Sequence, residues 1–260
     1  MVRSTDDVAA SRVAAGSRAP AGSLLADTAY ASTTEAADPY CLRPGEAAKL
    51  LTGHPWRRFV VLGDSVASGV GDPVEGYTAM PWCDRIAAEL HATAPDFAYF
   101  NIGARDLLAG QIRELQLGQA IAFGGDLALV SAGGNDALSR SYRADKVEVE
   151  ITAIIGALRS AGYDVITVGL FDASHAPAIP DVLRRSVSTR LRDLSARTAT
   201  IAEQYAAIHV NMIGHPVEPD AGMYSADGIH GNFRSHAICA AEAIRALGAH
   251  LATKPDLYAS

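Results

Sequence analysis

Five short runs rich in Val, Ile, Leu and aromatic residues recur along the chain, at residues 59–62, 97–102, 127–132, 165–170 and 207–212. Between them, stretches 80–92, 107–121, 147–160 and 180–205 carry the 3.6-residue apolar recurrence of helices, and a last one, 232–251, follows the fifth run. Unbroken apolar runs of this length read as strands buried on both faces, which requires a sheet covered by helices. Alternation repeated five times predicts a parallel sheet with helices on both sides and right-handed crossovers. The fold class is therefore α/β, a three-layer α/β/α sandwich around five parallel strands. In such a sheet every strand ends on one rim, where ligand sites form.

The polar residues gather on that rim. Asp64-Ser65 follow the first run, Asn101 to Asp106 the second, Gly134-Asn135 the third and Asp172 to His175 the fourth. Gly63 lets the chain turn sharply after the first strand, which makes Ser65 the candidate nucleophile. Gly-Asp-Ser is also ordinary turn chemistry, in which Asp and Ser bond their own backbone. A phosphate loop is a poor fit, because the Lys-Ser/Thr pair is missing and Gly63, Gly69 and Gly71 do not keep the G-x-G-x-x-G spacing. Nor is this a G-x-S-x-G elbow, since Ala67 stands where the second Gly belongs.

A serine hydroxyl needs a base, usually an imidazole held by a carboxylate. Asp227-Gly-Ile-His230 and Asp172-Ala-Ser-His175 each put an acid and an imidazole three residues apart. The first pair is favoured, because it sits at the entrance to the final helix, where Gly228 permits a turn and His230 can cross to Ser65. Acyl transfer also needs donors for the developing oxyanion. The backbone N–H of Ser65, an N–H from the turn after Asn101 and the amide of Asn135 are the candidates.

Gly-Asp-Ser at 63–65, Asn101 with its turn, Gly-Gly-Asn-Asp at 133–136 and Asp-x-x-His at 227–230 stand in the order of the sequence blocks of the SGNH (GDSL-type) hydrolases, which the chain resembles from about residue 57 onward. The resemblance implies the flavodoxin-like SGNH hydrolase fold with five parallel strands, a serine esterase acting through an acyl-enzyme, and no metal or organic cofactor. It assigns Ser65 as nucleophile and first oxyanion donor, Asn135 as a side-chain donor, His230 as base and Asp227 as the acid orienting it. One block departs from the pattern: Asp106 holds the place of the usual second-block glycine, with Gly103 a second candidate earlier in the turn. Asp106 is expected to keep its backbone N–H in the oxyanion hole and to turn its carboxylate away, or to cap a helix starting at residue 107. The loops at 66–77, 105–106 and 171–180 are expected to line the pocket, so Val66, Arg105, Asp172 and His175 are the candidate substrate-binding residues, with Arg105 suited to a carboxylate or phosphate.

The substrate expected is a small or medium-sized ester, with a role in secondary metabolism plausible for a high-GC bacterial host. The alternatives are an acyltransferase using the same triad and an inactive metabolite-binding protein on the same fold. A formal charge of −7 argues against nucleic acid and anionic membranes as partners. An apolar fraction of 49% with 20% charged residues fits a globular protein. The first residues carry early acids and no apolar core of a secretory signal, and the three cysteines, Cys41, Cys83 and Cys239, keep no paired spacing, so a cytoplasmic location with reduced thiols is expected. Residues 1–38 read as a flexible leader, 39–56 as a short helical arm on the domain edge, and 57–260 as the hydrolase domain.

Overall fold

The computed structural model describes residues 33–94 and 96–253. Its centre is a sheet of five parallel strands, β1 (Arg58–Gly63), β2 (Ala98–Asn101), β3 (Leu127–Ser131), β4 (Asp164–Gly169) and β5 (Ile208–Asn211), in the order β2-β1-β3-β4-β5. Alternate residues of one strand serve opposite layers. Phe59 and Val61 of β1 join Leu127 and Leu129 of β3 in one core. Val60 and Leu62 join Ala128 and Val130 in the other.

The first core is roofed by α2 (Glu46–Leu50), α3 (Trp82–Thr93) and α8 (Phe233–Thr253); the second by α4 (Ala109–Phe123), α6 (Ala144–Ser160) and α7 (Asp181–Gln204). Two further short helices, α1 (Thr33–Ala37) and α5 (Gly134–Leu138), complete the set. On α8, Ile238, Ile244 and Leu247 have no exposed surface, and burying each such side chain stabilises the fold by about 1.5–3 kcal/mol. No helix among the described residues is long and apolar enough to cross a membrane.

The end of β1 is fixed from the α4 side. Buried Gln116 accepts from Gly63 N–H at 2.7 Å and donates to Gly63 O at 2.9 Å. A Cβ on residue 63 would stand 2.3 Å from the carbonyl oxygen of Ser131, so only glycine lets β1 and β3 run this close where the chain turns.

The end of the expected leader is ordered. Residues 1–32 lie outside the described residues, but 33–38, assigned to the leader, hold α1 and one of the buried ionic hubs of the chain. Glu35 is 6% exposed, pairs with Arg85 at 2.6 Å and accepts from Thr78 N–H at 2.7 Å. Asp38 accepts from Tyr77 O–H at 2.7 Å and pairs with Arg234 of α8 at 2.9 Å. The stretch expected as a helical arm holds α2 and packs on the domain, with Cys41, Ala47, Leu51 and Trp56 buried in the core and Arg245 of α8 binding the Tyr40 and Cys41 carbonyls. An Ala-rich, weakly periodic stretch hides such packing, because its anchors are single ionic side chains.

Candidate active site

Past Gly63 the chain forms a tight turn knit by its own polar groups. Asp64 Oδ1 accepts from Val66 N–H at 3.0 Å, Asp64 O from Ser68 N–H at 3.0 Å, and Ser65 O from Val70 N–H at 3.1 Å. Ser65 is thereby held at the carboxyl end of β1 with its side chain on the rim. Asp64 itself is 2% exposed, and burial pushes its carboxyl up to about 6.

The loop before α8 brings the partner groups. Ser65 Oγ lies 2.8 Å from His230 Nε2, and His230 Nδ1 lies 2.6 Å from Asp227 Oδ2. Asp227 Oδ1 accepts from the backbone N–H groups of Ile229 and His230, both at 3.0 Å. Burial opposes the charge on Asp227, but those two N–H groups and the imidazole outweigh it and bring the carboxyl down to about 2. An ionised carboxylate only accepts, so Nδ1 carries the ring proton and the Nε2 lone pair faces the serine O–H. Gly228, with φ 71°, allows the turn, and its carbonyl accepts from Ala178 N–H at 2.9 Å, which ties the loop to the segment after β4.

The three candidate oxyanion donors differ in the partners they already have. Among the described residues, neither Ser65 N–H nor Asp106 N–H has a hydrogen-bond acceptor. Asn135 donates one amide hydrogen to Leu107 O at 3.0 Å, which joins the loop after β3 to the turn carrying Asp106 and leaves a second amide hydrogen. Asp106 has φ 63°, the left-handed conformation that glycine adopts most readily, so this chain keeps the glycine-like backbone with a side chain on it. Its carboxylate is exposed and caps nothing: the helix starts at Ala109, whose N–H goes to Asp136 Oδ2, while Leu108 N–H goes to Gln111. Gly103 differs, because its N–H is taken by Asn101 Oδ1 at 2.9 Å.

Beside Ser65 opens a cavity of about 150 Å³. Val66 and Val70 line it, as do Phe171 and Ala173 from the loop after β4. Arg105, Asp172 and His175 do not. Arg105 and His175 are exposed away from it. Asp172 is 1% exposed and committed to structure, accepting from Ser174 N–H at 3.1 Å and Ser188 O–H at 2.5 Å and pairing with Arg192 at 2.9 Å. The Asp172/His175 pair is therefore not a second acid–imidazole couple.

Two groups near Ser65 escaped the sequence reading. His236 accepts from Trp82 N–H at 3.1 Å and donates to Val70 O at 3.1 Å, and burial brings its pKa down to about 4. Trp82 donates its indole N–H to Val66 O at 2.8 Å. The available signal was the position of His236 in the helical stripe of Ala240, Ile244 and Leu247, where an imidazole is buried and must find partners.

The model of the GDSL-like lipase/acylhydrolase family matches residues 61–238. No curated protein matches the chain. Among solved structures, TesA superposes with a TM-score of 0.58 at 19% identity, over 74% of this chain and 98% of its own. The lipase/acylhydrolase from Enterococcus faecalis gives 0.58 at 18% identity, over 75% and 96%. The acetylxylan esterase from Geobacillus stearothermophilus gives 0.56 at 16% identity, over 74% and 94%. At these identities the likeness to solved structures carries the fold.

Proposed function

The chain belongs to the GDSL-like lipase/acylhydrolase family, and from that premise we propose that it hydrolyses a carboxylic ester of a small or medium-sized molecule through a covalent acyl-enzyme on Ser65. The observation that carries this is the unbroken chain Ser65 Oγ–His230–Asp227, with contacts of 2.8 and 2.6 Å. His230 Nε2 takes the hydroxyl proton as Oγ attacks the ester carbonyl, and returns it to the departing alkoxide. The ionised Asp227 holds the ring in the tautomer that makes this transfer productive. Water then repeats the cycle on the acyl-serine, with His230 again as base. Charge on the tetrahedral oxygen falls to the N–H groups of Ser65 and Asp106 and the second amide hydrogen of Asn135, each donor worth about 3–4 kcal/mol where such a group has been removed. On this reading Asp106 serves through its backbone N–H, and its carboxylate is exposed to solvent.

The test is labelling by a fluorophosphonate probe read by intact mass, on the parent, Ser65→Ala, His230→Ala and His175→Ala. The parent and His175→Ala are expected to gain one adduct, and the other two none. Folded parent that takes no label, or label surviving in Ser65→Ala, would remove Ser65 as the nucleophile.

A further inference from the structure

We propose that the cavity beside Ser65 is an acyl pocket for an apolar group of about six carbons, and that Met223 and Cys239 set its limit. The inference rests on Ser65 being the nucleophile and names what Ser65 is acylated with. The cavity runs sideways along the sheet rim: its lining passes from Ser65 at the end of β1 to Val168 in β4 and Met212 just past β5. An acyl chain bonded to Ser65 Oγ therefore has an apolar channel lying across the strands, while the alcohol half stays at the mouth with His230.

The lining is tightly packed. Met212, Val217 and Met223 are 1%, 3% and 4% exposed. Cys239 of α8 also lines the cavity. Volume then sets the size of the guest: elsewhere, an apolar cavity of about 150 Å³ admits benzene. An acetyl group would leave most of the space unfilled, and each added methylene gains contact with a lining that is mostly apolar, Glu218 being a buried carboxylate within it. A chain too long for this volume has to displace lining side chains such as Met223 or Cys239 from packed surroundings.

The experiment compares kcat/KM for the 4-nitrophenyl esters of acetate, butyrate, hexanoate, octanoate and dodecanoate. The parent is expected to gain about fourfold per added methylene from acetate to hexanoate, then to lose at least about tenfold by dodecanoate. Cys239→Phe is expected to move the optimum to acetate or butyrate, and Met223→Ala to move it to octanoate. Cys239→Leu gives the same direction as Cys239→Phe should the larger ring prevent folding. A parent profile that peaks at acetate or climbs to dodecanoate overturns the proposal, as does an optimum that neither substitution moves. Fluorophosphonate labelling of the parent separates the two failures: label with a flat profile removes the pocket alone, and no label removes the nucleophile with it.

Discussion

At the scale of single residues, the nucleophile turn is flanked by two buried titratable groups with opposite effects on stability. Asp64 has its carboxyl raised to about 6, against about 3.9 in an unfolded chain. Between those values the folded state holds the extra proton, so the Asp64 contribution is full below about pH 3.9 and is lost as pH rises through about 6. His236 has its pKa lowered to about 4, against about 6.5 unfolded. Here the unfolded state holds the extra proton, so stability is lost as pH falls from about 6.5 to about 4. Each slope is worth up to about 3 kcal/mol, and in the parent they oppose one another. Urea midpoints at pH 4, 5, 6 and 7 should therefore diverge. Relative to the parent, Asp64→Asn should lose stability on acidification and His236→Gln should gain it; curves parallel to the parent for both variants would refute the assignment. Neither group was legible in the sequence. Asp64 reads as a turn residue and His236 as one of eight histidines, because burial is a property of the assembled layers.

At the scale of elements, the strands and the long helices could be read to within a few residues, since each announces itself by several side chains in register. The short helices could not. α5 spans five residues, Gly134–Leu138, and starts because Gly133 has φ 92°; no periodicity can show in so short a segment. α1, also five residues, is held by Glu35 rather than by an apolar face. The shared placement of Ser65, Asn135, Asp227 and His230 was legible because loops after parallel strands must share one rim, whereas Arg105 and His175 show that standing on the rim does not mean lining the cavity. The α1 anchor carries its own prediction. Arg85 is 12% exposed at its side chain and also donates to the Thr78 and Met80 carbonyls, so Glu35→Ala would bury its charge without the carboxylate. A loss of about 3–5 kcal/mol is expected, read as a lowered urea midpoint. A change below about 1 kcal/mol would mean that α1 is a surface ornament.

At the scale of the whole molecule, the segment before β1 and the rim loops share one core, and the two tryptophans report on both. Trp56, 1% exposed, donates its indole N–H to Asp164 at the start of β4, at 3.0 Å. Trp82, also 1% exposed, binds the nucleophile turn from α3. Single-tryptophan variants, Trp56→Phe and Trp82→Phe, should each unfold in one transition, with fluorescence midpoint and slope matching their own circular dichroism. A fluorescence transition that precedes the dichroism in Trp82→Phe, where Trp56 alone reports, would mark the leading segment as a separate unit. The sheet order has a consequence for the protein as it is made. Ser65 and His230 are separated by 165 positions, with four of the five strands threaded between them. A chain growing from its first residue therefore exposes the serine long before the imidazole exists. Under the proposed mechanism, a chain that has not yet reached His230 holds the nucleophile without its base.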